Sequence, residues 1–244
     1  MEIHLLYGNL QSTNLAYVPL KMKRFLLSAV LAIIAVSASA QINIGAGYLQ
    51  STATYQAKSG ADVNNTLSNG FYAGLGYETS LMKGLGLSAG VYYSYLYSDD
   101  AGSTAIGTIA TGTLKTNLKE QYINVPVALN FGYNLTRDLR LFAFGGPTFS
   151  LGLSSMSHYD ASATIVGITL SDSGDTDNYA GTDDKASPYG RFDILLGAGA
   201  GIDFLGKYRL TVGYDWGMLN RNVDSESTAI RHRNQLKVGV AYLF

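Results

Sequence analysis

The chain has 244 residues, of which 47% are hydrophobic and only 14% are charged, and its formal net charge is −1. Soluble domains carry about 25% charged residues, so this chain has too few for an ordinary water-exposed surface. The near-zero net charge provides no electrostatic basis for binding nucleic acid. Because the chain contains no cysteine, disulfides and thiolate metal sites are excluded.

The N-terminal region contains one long apolar run, residues 25–36, directly after the basic segment 22–24. This run is shorter than the roughly 20 residues of a spanning helix, and Ala38 and Ala40 after it form a small-residue cleavage pattern. We therefore predict a secretory signal peptide over residues 22–40. A retained membrane anchor is the alternative.

Cleavage of this signal would leave Gln41 as the first residue of the exported protein. Residues 1–21 do not fit a signal peptide and are predicted to be an extension translated from an upstream start codon. Residues 41–244 are predicted to form a single domain, because no linker divides them.

Beyond residue 41 the chain alternates large apolar residues with small or polar ones, a period of two that is typical of β-strands. In the clearest example Tyr208, Leu210 and Val212 share one face and Arg209 lies on the other. The pattern predicts eight strands, at about 42–56, 70–80, 85–97, 118–133, 139–153, 190–205, 208–219 and 231–244. The fifth alternates poorly, and its Pro147 removes a ladder hydrogen bond unless it lies at a bulge or a rim.

The connections between these strands alternate in length. Tight turns are predicted at 81–84, 134–138 and 206–207, and long loops rich in Ser, Thr, Asn, Asp and Gly at 57–69, 98–117, 154–189 and 220–230. Short and long connections then lie at opposite ends of the strands. This arrangement predicts an up-and-down meander. The end of the sheet with the tight turns is here called the plain rim, and the end with the long loops the elaborated rim.

Alternation alone does not show whether the apolar face points into the barrel or outwards to lipid, because soluble lipocalin-like barrels and membrane barrels share the same period. A small barrel cannot hold the large side chains of all eight strands, whereas small residues and a few charges would fill it. Aromatic residues near strand ends fit the headgroup zone, and lipid admits only helices or closed barrels. The sequence therefore predicts an all-β fold, an eight-stranded antiparallel up-and-down transmembrane β-barrel.

The last nine residues, LKVGVAYLF, place Val238, Val240, Tyr242 and Phe244 on one face. This segment resembles the C-terminal signal of outer-membrane barrels, in which a terminal Phe is recognised by the insertion machinery. The resemblance implies that machinery as a partner through the C-terminal strand. Outer-membrane lipid and lipopolysaccharide are expected as surrounding partners, and nucleic acid is not.

Residues 120–135 contain Tyr122 and Pro126 in a Tyr-x-x-x-Pro arrangement ahead of an apolar strand, and residues 191–199 contain Arg-Phe-Asp followed by Gly-Ala-Gly. Over residues 41–244 the chain resembles the PorT-like, Bacteroidetes-type family of outer-membrane β-barrels of Gram-negative bacteria. The resemblance implies the fold and an outer-membrane location. Some relatives are linked to protein secretion, but no residue here carries that link.

Alternation predicts a set of charged side chains inside the barrel: Glu78, Asp193, Asp203, Arg209, Asp215 and Lys237, with Glu120, Arg140 and Arg191 as weaker candidates. An eight-stranded barrel has just enough room for side chains, and buried charges need partners. A hydrogen-bonded plug is therefore favoured over a conducting path. The plug and the conducting path both remain hypotheses at this point.

Two further motifs have structural interpretations. The glycine-rich segment 197–201, GAGAG, lacks the G-x-G-x-x-G spacing and opens no helix, so it is interpreted as a stripe of small residues facing the lumen. The acidic segment 171–184 does not match the spacing of an EF-hand and is predicted to be a solvated loop. Calcium or lipopolysaccharide-bridging cations are the alternative ligands there.

The catalytic hypothesis rests on two histidines, His158 and His232, and on Ser154, Ser155 and Ser157 beside the first of them. Adjacent residues on a loop rarely hold a nucleophile and a base in a fixed geometry, and no G-x-S-x-G or H-E-x-x-H motif is present. No catalytic, cofactor-binding or metal-binding residue is therefore assigned.

The predicted function is a non-enzymatic outer-membrane scaffold whose extracellular loops bind a surface or secretion partner protein. The alternatives are a narrow porin-like channel and a lipid-modifying outer-membrane enzyme.

Overall fold

The computed structural model describes residues 40–57, 62–106, 110–166, 168–180, 187, 189–222 and 229–244. The upstream extension and the signal peptide predicted above, apart from Ala40, lie outside the described residues. Among the residues described, no helix is long and apolar enough to cross a membrane.

The described residues form nine β-strands: β1 Ala40–Ala57, β2 Asp62–Met82, β3 Leu85–Ile106, β4 Ala110–Asn134, β5 Leu139–Ile165, β6 Ile168–Asp177, β7 Phe192–Phe204, β8 Tyr208–Gly217 and β9 Ala229–Leu243. Eight of them pair antiparallel in the order β1-β2-β3-β4-β5-β7-β8-β9, and β9 pairs again with β1. This closed ring confirms the predicted eight-stranded barrel.

The remaining strand, β6, lies outside the ring. It pairs with the outer part of β5, from Met156↔Asp177 to Ile165↔Ile168. The pairing of β5 with β7 ends before that point, at Leu151↔Phe192. At the elaborated rim β5 therefore exchanges one neighbour for another.

The prediction of long loops between the strands is wrong for most of the described residues in those segments. Residues 62–69, 98–106, 110–117 and 154–165 continue the barrel strands, and 168–177 form β6. Serine-, threonine- and aspartate-rich segments give a weak strand signal, because strand preference depends mainly on packing against neighbours. Here the paired barrel strand beside each segment extends with it.

The outward face of the ring is apolar, as predicted. Val240 is 58% exposed and Phe244 is 72% exposed. Aromatic pairs lie at two levels of the outer face. Near the plain rim the ring centroids of Tyr208 and Tyr242 are 5.7 Å apart and those of Tyr242 and Phe244 are 5.1 Å apart. Towards the elaborated rim the corresponding distances are 5.7 Å for Phe71–Tyr95 and 5.0 Å for Tyr214–Trp216. Two aromatic girdles around an apolar belt are what a bilayer requires of a barrel.

The fifth strand has the same inward and outward faces on both sides of Pro147, with Phe142 buried and Phe149 exposed. The ladder between β4 and β5 is interrupted between Pro126↔Thr148 and Leu129↔Gly145, which leaves Pro147 outside it. Proline has no amide hydrogen to donate. Pro147 keeps its pairing with Leu196 of β7, so the expected interruption is found only on the β4 side of the strand.

The interior is less simple than the prediction of small residues and charges. Several large side chains are buried there, including Leu49, Leu96, Tyr122, Phe142 and Leu195. A Cβ added to Gly199 would meet the Phe144 ring, and one added to Gly201 would meet the Phe142 ring. The glycine stripe of the 197–201 segment thus provides space for aromatic rings inside the barrel.

Candidate functional site

Near the plain rim, four charged side chains form a layer across the lumen, here called the bridge layer: Glu78, Arg140, Asp203 and Arg209. Arg209 donates from Nε to Asp203 Oδ1 at 2.6 Å and from Nη1 to Glu78 Oε2 at 2.7 Å. Arg140 Nη1 donates to Asp203 Oδ2 at 3.0 Å and to Glu78 Oε1 at 3.3 Å. The predicted lumen positions of all four residues are confirmed.

The bridge layer joins opposite walls of the barrel. Glu78 is on β2, which lies four strands from β7 in the ring of eight, so it faces Asp203 and the arginines on either side of β7. The Arg209 guanidinium also lies 4.3 Å from the centre of the Phe142 ring. Two arginines and two carboxylates balance one another, as buried charges must.

Towards the elaborated rim a second group, here called the arginine layer, surrounds Tyr122. The Tyr122 hydroxyl donates to Glu120 Oε1 at 2.7 Å and accepts from Arg221 Nη1 at 3.0 Å. Arg233, on the opposite strand β9, lies with its guanidinium 3.9 Å from the centre of the Tyr122 ring. Its Nε lies 3.6 Å from Asp193 Oδ2. The predicted interior positions of Glu120 and Asp193 are confirmed.

Sequence reasoning did not identify the buried arginines of this layer, Arg221, Arg231 and Arg233. Arg231 and Arg233 alternate in phase with Gln235 and Lys237 on β9, so the period of two could have placed them in the lumen. Arg221 follows the end of β8, where no strand period applies. Only the fold brings it to Tyr122.

Between the two layers lies a cavity of about 170 Å³, here called the chamber. Lys237 and Asp215 line it and form an ion pair, with Nζ 2.5 Å from Oδ2. The rings of Tyr72, Tyr92 and Phe144 form part of its wall. The predicted lumen positions of Lys237 and Asp215 are thereby confirmed.

The weaker prediction for Arg191 is wrong. Its side chain is exposed, donates from Nη1 to the Leu153 carbonyl oxygen at 3.2 Å and lies 4.5 Å from the centre of the Tyr179 ring. Strand β7 begins at Phe192, so the alternation that places Asp193 inside does not extend back to Arg191.

Beyond the upper aromatic girdle, residues 98–106, 110–119, 156–165 and 168–177 continue as a four-stranded sheet, here called the projecting sheet. Its final strand is β6, and within the described ranges no residue pairs with the outer edge of that strand. Asp172, Asp175 and Asp177 are exposed on it. The acidic segment predicted as a loop is therefore a strand over 171–177, while Asp183 and Asp184 lie outside the described residues.

His158 belongs to the projecting sheet. Its Nδ1 lies 2.8 Å from Asp175 Oδ1 and its Nε2 lies 3.4 Å from Asp160 Oδ2. The hydrogen bond with Asp175 and the nearby Asp160 carboxylate raise the pKa of His158 above its ordinary value. The imidazole thus contacts carboxylates rather than a serine.

The serines beside His158 have other contacts. The hydroxyls of Ser155 and Ser157 accept hydrogen bonds from Asn178 Nδ2 at 3.1 and 2.8 Å. His232 pairs in the β1–β9 ladder with Thr54, far from His158 in the sheet. In the portion of the chain that is described, no group of three or more His, Cys, Asp or Glu residues is placed to hold a metal ion.

A closed ring of antiparallel strands, with an apolar outer belt between aromatic girdles, defines an integral membrane β-barrel. The family model described as "Outer membrane protein beta-barrel domain" matches residues 26–244. The chain belongs to this family and is an outer-membrane β-barrel protein. In such proteins short turns face the periplasm and long connections face outwards, so the projecting sheet is extracellular.

Among solved structures the chain is similar to Ail of Yersinia pestis, at 15% identity over 84% of this chain and 99% of that chain, with a TM-score of 0.34. It is also similar to Neisserial surface protein A, at 13% identity over 83% and 97% of the two chains, with a TM-score of 0.37. The outer membrane protease OmpT of Escherichia coli has 9% identity over 85% and 97%, with a TM-score of 0.35. These values carry no information about function. No curated protein sequence matches the chain.

Proposed function

We propose that this protein is a non-enzymatic binding scaffold of the outer membrane. In this proposal the barrel anchors the projecting sheet, and the outer edge of β6 binds an extended segment of a partner protein at the cell surface. The observation that carries the proposal is β6 itself, a ten-residue strand that is added outside the closed ring.

Closure of the barrel does not require β6, because the ring is complete without it. A strand at the edge of a sheet presents backbone N–H and C=O groups that pair readily with another extended chain. Strand addition of this kind supplies affinity through main-chain hydrogen bonds and specificity through alternate side chains. The edge of β6 projects into water, where a partner can reach it.

The side chains of β6 indicate the charge of the partner. Asp172, Asp175 and Asp177 repel a second acidic strand, including β6 of another copy of the protein. A segment with lysine or arginine at alternate positions would instead place cations on one face, beside Asp175 and Asp177, while Asp172 lies on the other face of β6. We therefore expect a cationic extended segment.

A peptide-binding measurement tests the proposal. The folded barrel in lipid nanodiscs is titrated with a ten-residue peptide that alternates Thr and Lys, and with a matched peptide that alternates Thr and Glu. We expect roughly tenfold tighter binding of the Lys peptide, since exposed charge pairs contribute about 0.2–1 kcal/mol each. Equal binding of both peptides, or of neither, contradicts the proposal.

A pair of proline variants distinguishes edge binding from general attraction to the acidic surface. Neighbouring residues in a strand point their amide N–H groups to opposite edges, so Ser171→Pro and Asp172→Pro affect opposite sides of β6. The variant that keeps the His158–Asp175 contact is expected to lose peptide binding. Retained binding in that variant would show that the edge is not used.

The finer features of this assignment are also part of the proposal. Membership of the PorT-like branch is supported by the Tyr-x-x-x-Pro pattern of Tyr122 and Pro126 and by the Arg-Phe-Asp and Gly-Ala-Gly segments of residues 191–199. Export by a signal peptide cleaved before Gln41 and insertion through the C-terminal strand β9, which Phe244 directly follows, complete it. N-terminal sequencing of the protein from purified outer membranes tests the cleavage, and a mature chain beginning before Gln41 would contradict it.

A further inference from the structure

The chamber in the middle of the lumen contains polar atoms that need partners. Asn124 Oδ1, Asn130 Nδ2 and Gln235 Nε2 are buried, and in the described part of the chain none of them has a hydrogen-bonding partner. All three residues line the chamber. Unpartnered buried polar groups are costly, and a cavity of about 170 Å³ has room for several water-sized molecules.

The unpartnered atoms are spread along the chamber. Asn124 and Asn130 are both on β4, which rises about 3.3 Å per residue, so they lie towards opposite ends of the cavity. The occupant must therefore offer hydrogen-bond donors and acceptors along the length of the lumen. A file of small polar molecules meets this requirement better than one compact ligand.

The charges at the periplasmic entrance and along the wall of the chamber are balanced, whereas the arginine layer at its outer end contains three buried arginines and two buried carboxylates. The bridge layer contains two arginines and two carboxylates, and Lys237 in the chamber wall is paired with Asp215. Neither sign is in excess at the entrance or along the wall. The chamber thus favours uncharged polar molecules over cations or anions.

The two ends of the chamber are closed to different degrees. At the outer end Arg233 is 1% exposed and packs on the buried Tyr122 ring. At the periplasmic end the Arg140 side chain is 27% exposed, and Glu78 provides the contacts from the opposite wall. The periplasmic end is therefore the weaker barrier.

We propose that the chamber is a binding compartment for small uncharged polar molecules, and that it opens to the periplasm when Glu78 releases Arg140 and Arg209. Arg140, Asp203 and Arg209 belong to consecutive strands of the ring, so they keep their mutual ion pairs when Glu78 moves. The contacts of Glu78 with the two arginines act as the gate.

Accessibility of a single cysteine tests this proposal in a chain that has none of its own. Thr148→Cys places a thiol in the chamber wall, at a side chain that is 5% exposed and that pairs with neither Glu78 nor Tyr122. The probe is methyl methanethiosulfonate, which is small and uncharged. We expect Glu78→Ala to accelerate modification of this thiol about tenfold or more, because two charged hydrogen bonds across the lumen are lost.

Two matched variants locate the gate. Tyr122→Phe removes the hydroxyl at the centre of the arginine layer without changing the size of the ring, and it is expected to leave the rate unchanged. Glu78→Gln keeps the shape of the side chain and is expected to give a smaller acceleration than Glu78→Ala, which provides a second reading if the alanine variant does not fold. Heat-modifiability on an unboiled gel confirms that each variant forms a barrel.

Three results would overturn the proposal. An unchanged rate in both folded Glu78 variants would show that Glu78 is not the gate. A larger effect of Tyr122→Phe would place the entrance at the outer end. Equally fast reaction with the trimethylammonium analogue of the reagent would show that the chamber does not favour uncharged molecules.

Discussion

The same three strands, β3, β4 and β5, pass through two environments, and their side chains differ accordingly. Within the barrel Val91 and Leu129 point to lipid while Ser94 and Asn130 point to the lumen. In the projecting sheet the same strands carry Ser, Thr, Asp and Lys on both faces. The backbone ladder is continuous, so the change in side chains marks the change of solvent.

Pairing of the strands differs between the two regions as well. In lipid no backbone group can be left unpaired, which requires a closed ring. In water an edge is tolerated, and there β5 is free to part from β7 and pair with β6. Closure is therefore a requirement of the membrane region alone, and the extracellular region has the freedom to present an edge.

The largest expected difference between the regions concerns buried charge. Arg209→Ala removes the arginine that contacts both Glu78 and Asp203, and we expect it to lower the free energy of unfolding by about 3–5 kcal/mol. Lys115→Ala, at an exposed position of the projecting sheet, should change it by less than about 0.5 kcal/mol. Urea unfolding in lipid vesicles measures both, and similar costs would show that the bridge layer does not stabilise the barrel.

Two apolar positions of similar exposure allow the cost of an arginine in lipid to be compared with its cost in water. Val240 is 58% exposed and Leu170 is 67% exposed, but only Val240 lies in the apolar belt. Val240 lies two residues from Tyr242 of the girdle near the plain rim, so Val240→Arg should cost less than the roughly 2–4 kcal/mol of an arginine at the midplane but more than the roughly 0–1 kcal/mol of one at the interface. Leu170→Arg should be nearly neutral. The same unfolding assay applies, and a neutral Val240→Arg would contradict the lipid-facing assignment.

Two glycines compare packing in the lumen with packing at the surface. A Cβ at Gly199 would meet the Phe144 ring and backbone atoms of β8, while one at Gly174 would meet the Tyr159 side chain. We expect Gly199→Ala to cost about 1–3 kcal/mol through overpacking. Gly174→Ala should cost less, because the Tyr159 ring can move aside, and the reverse order of midpoints would show that the lumen is loosely packed.

The smallest expected effect is the pH dependence of the projecting sheet. Because Asp175 and Asp160 raise the pKa of His158 above 6.5, protonated His158 stabilises the β5–β6 pairing. This contribution is complete below the unfolded pKa and is lost as the pH rises through the folded pKa. NMR titration of His158 should give a value that falls towards 6.5 in Asp175→Asn, and an unshifted wild-type value would contradict the contact.

The barrel itself could be predicted from the sequence, because a period of two over residues 208–219 or 231–244 identifies a two-sided strand without any knowledge of its neighbours. The extracellular strands could not. Residues 168–177 have apolar side chains at alternate positions only at Ile168 and Leu170, and the segment pairs because β5 continues beside it. A strand that forms only because a neighbouring strand pairs with it has no signal in its own local sequence.

The lumen charges show the same limit. Glu78, Asp203 and Arg209 could be placed by alternation, since they lie in phase within strands. Arg221 could not, because it follows the end of β8 and reaches Tyr122 only through the fold. The large rings of Phe142 and Phe144 were also missed inside the barrel, as the clearance above Gly199 and Gly201 depends on the register between strands.

The orientation of the large side chains towards lipid is the central claim, and a spin-label measurement tests it most directly. Single cysteines at Val212 and Val240 carry the label, with one at Leu170 as the water-exposed reference. Labels at Val212 and Val240 should be relaxed strongly by oxygen in the bilayer and weakly by a water-soluble nickel complex, with the opposite order at Leu170. Labels at Val212 and Val240 that are shielded from oxygen would contradict the membrane barrel.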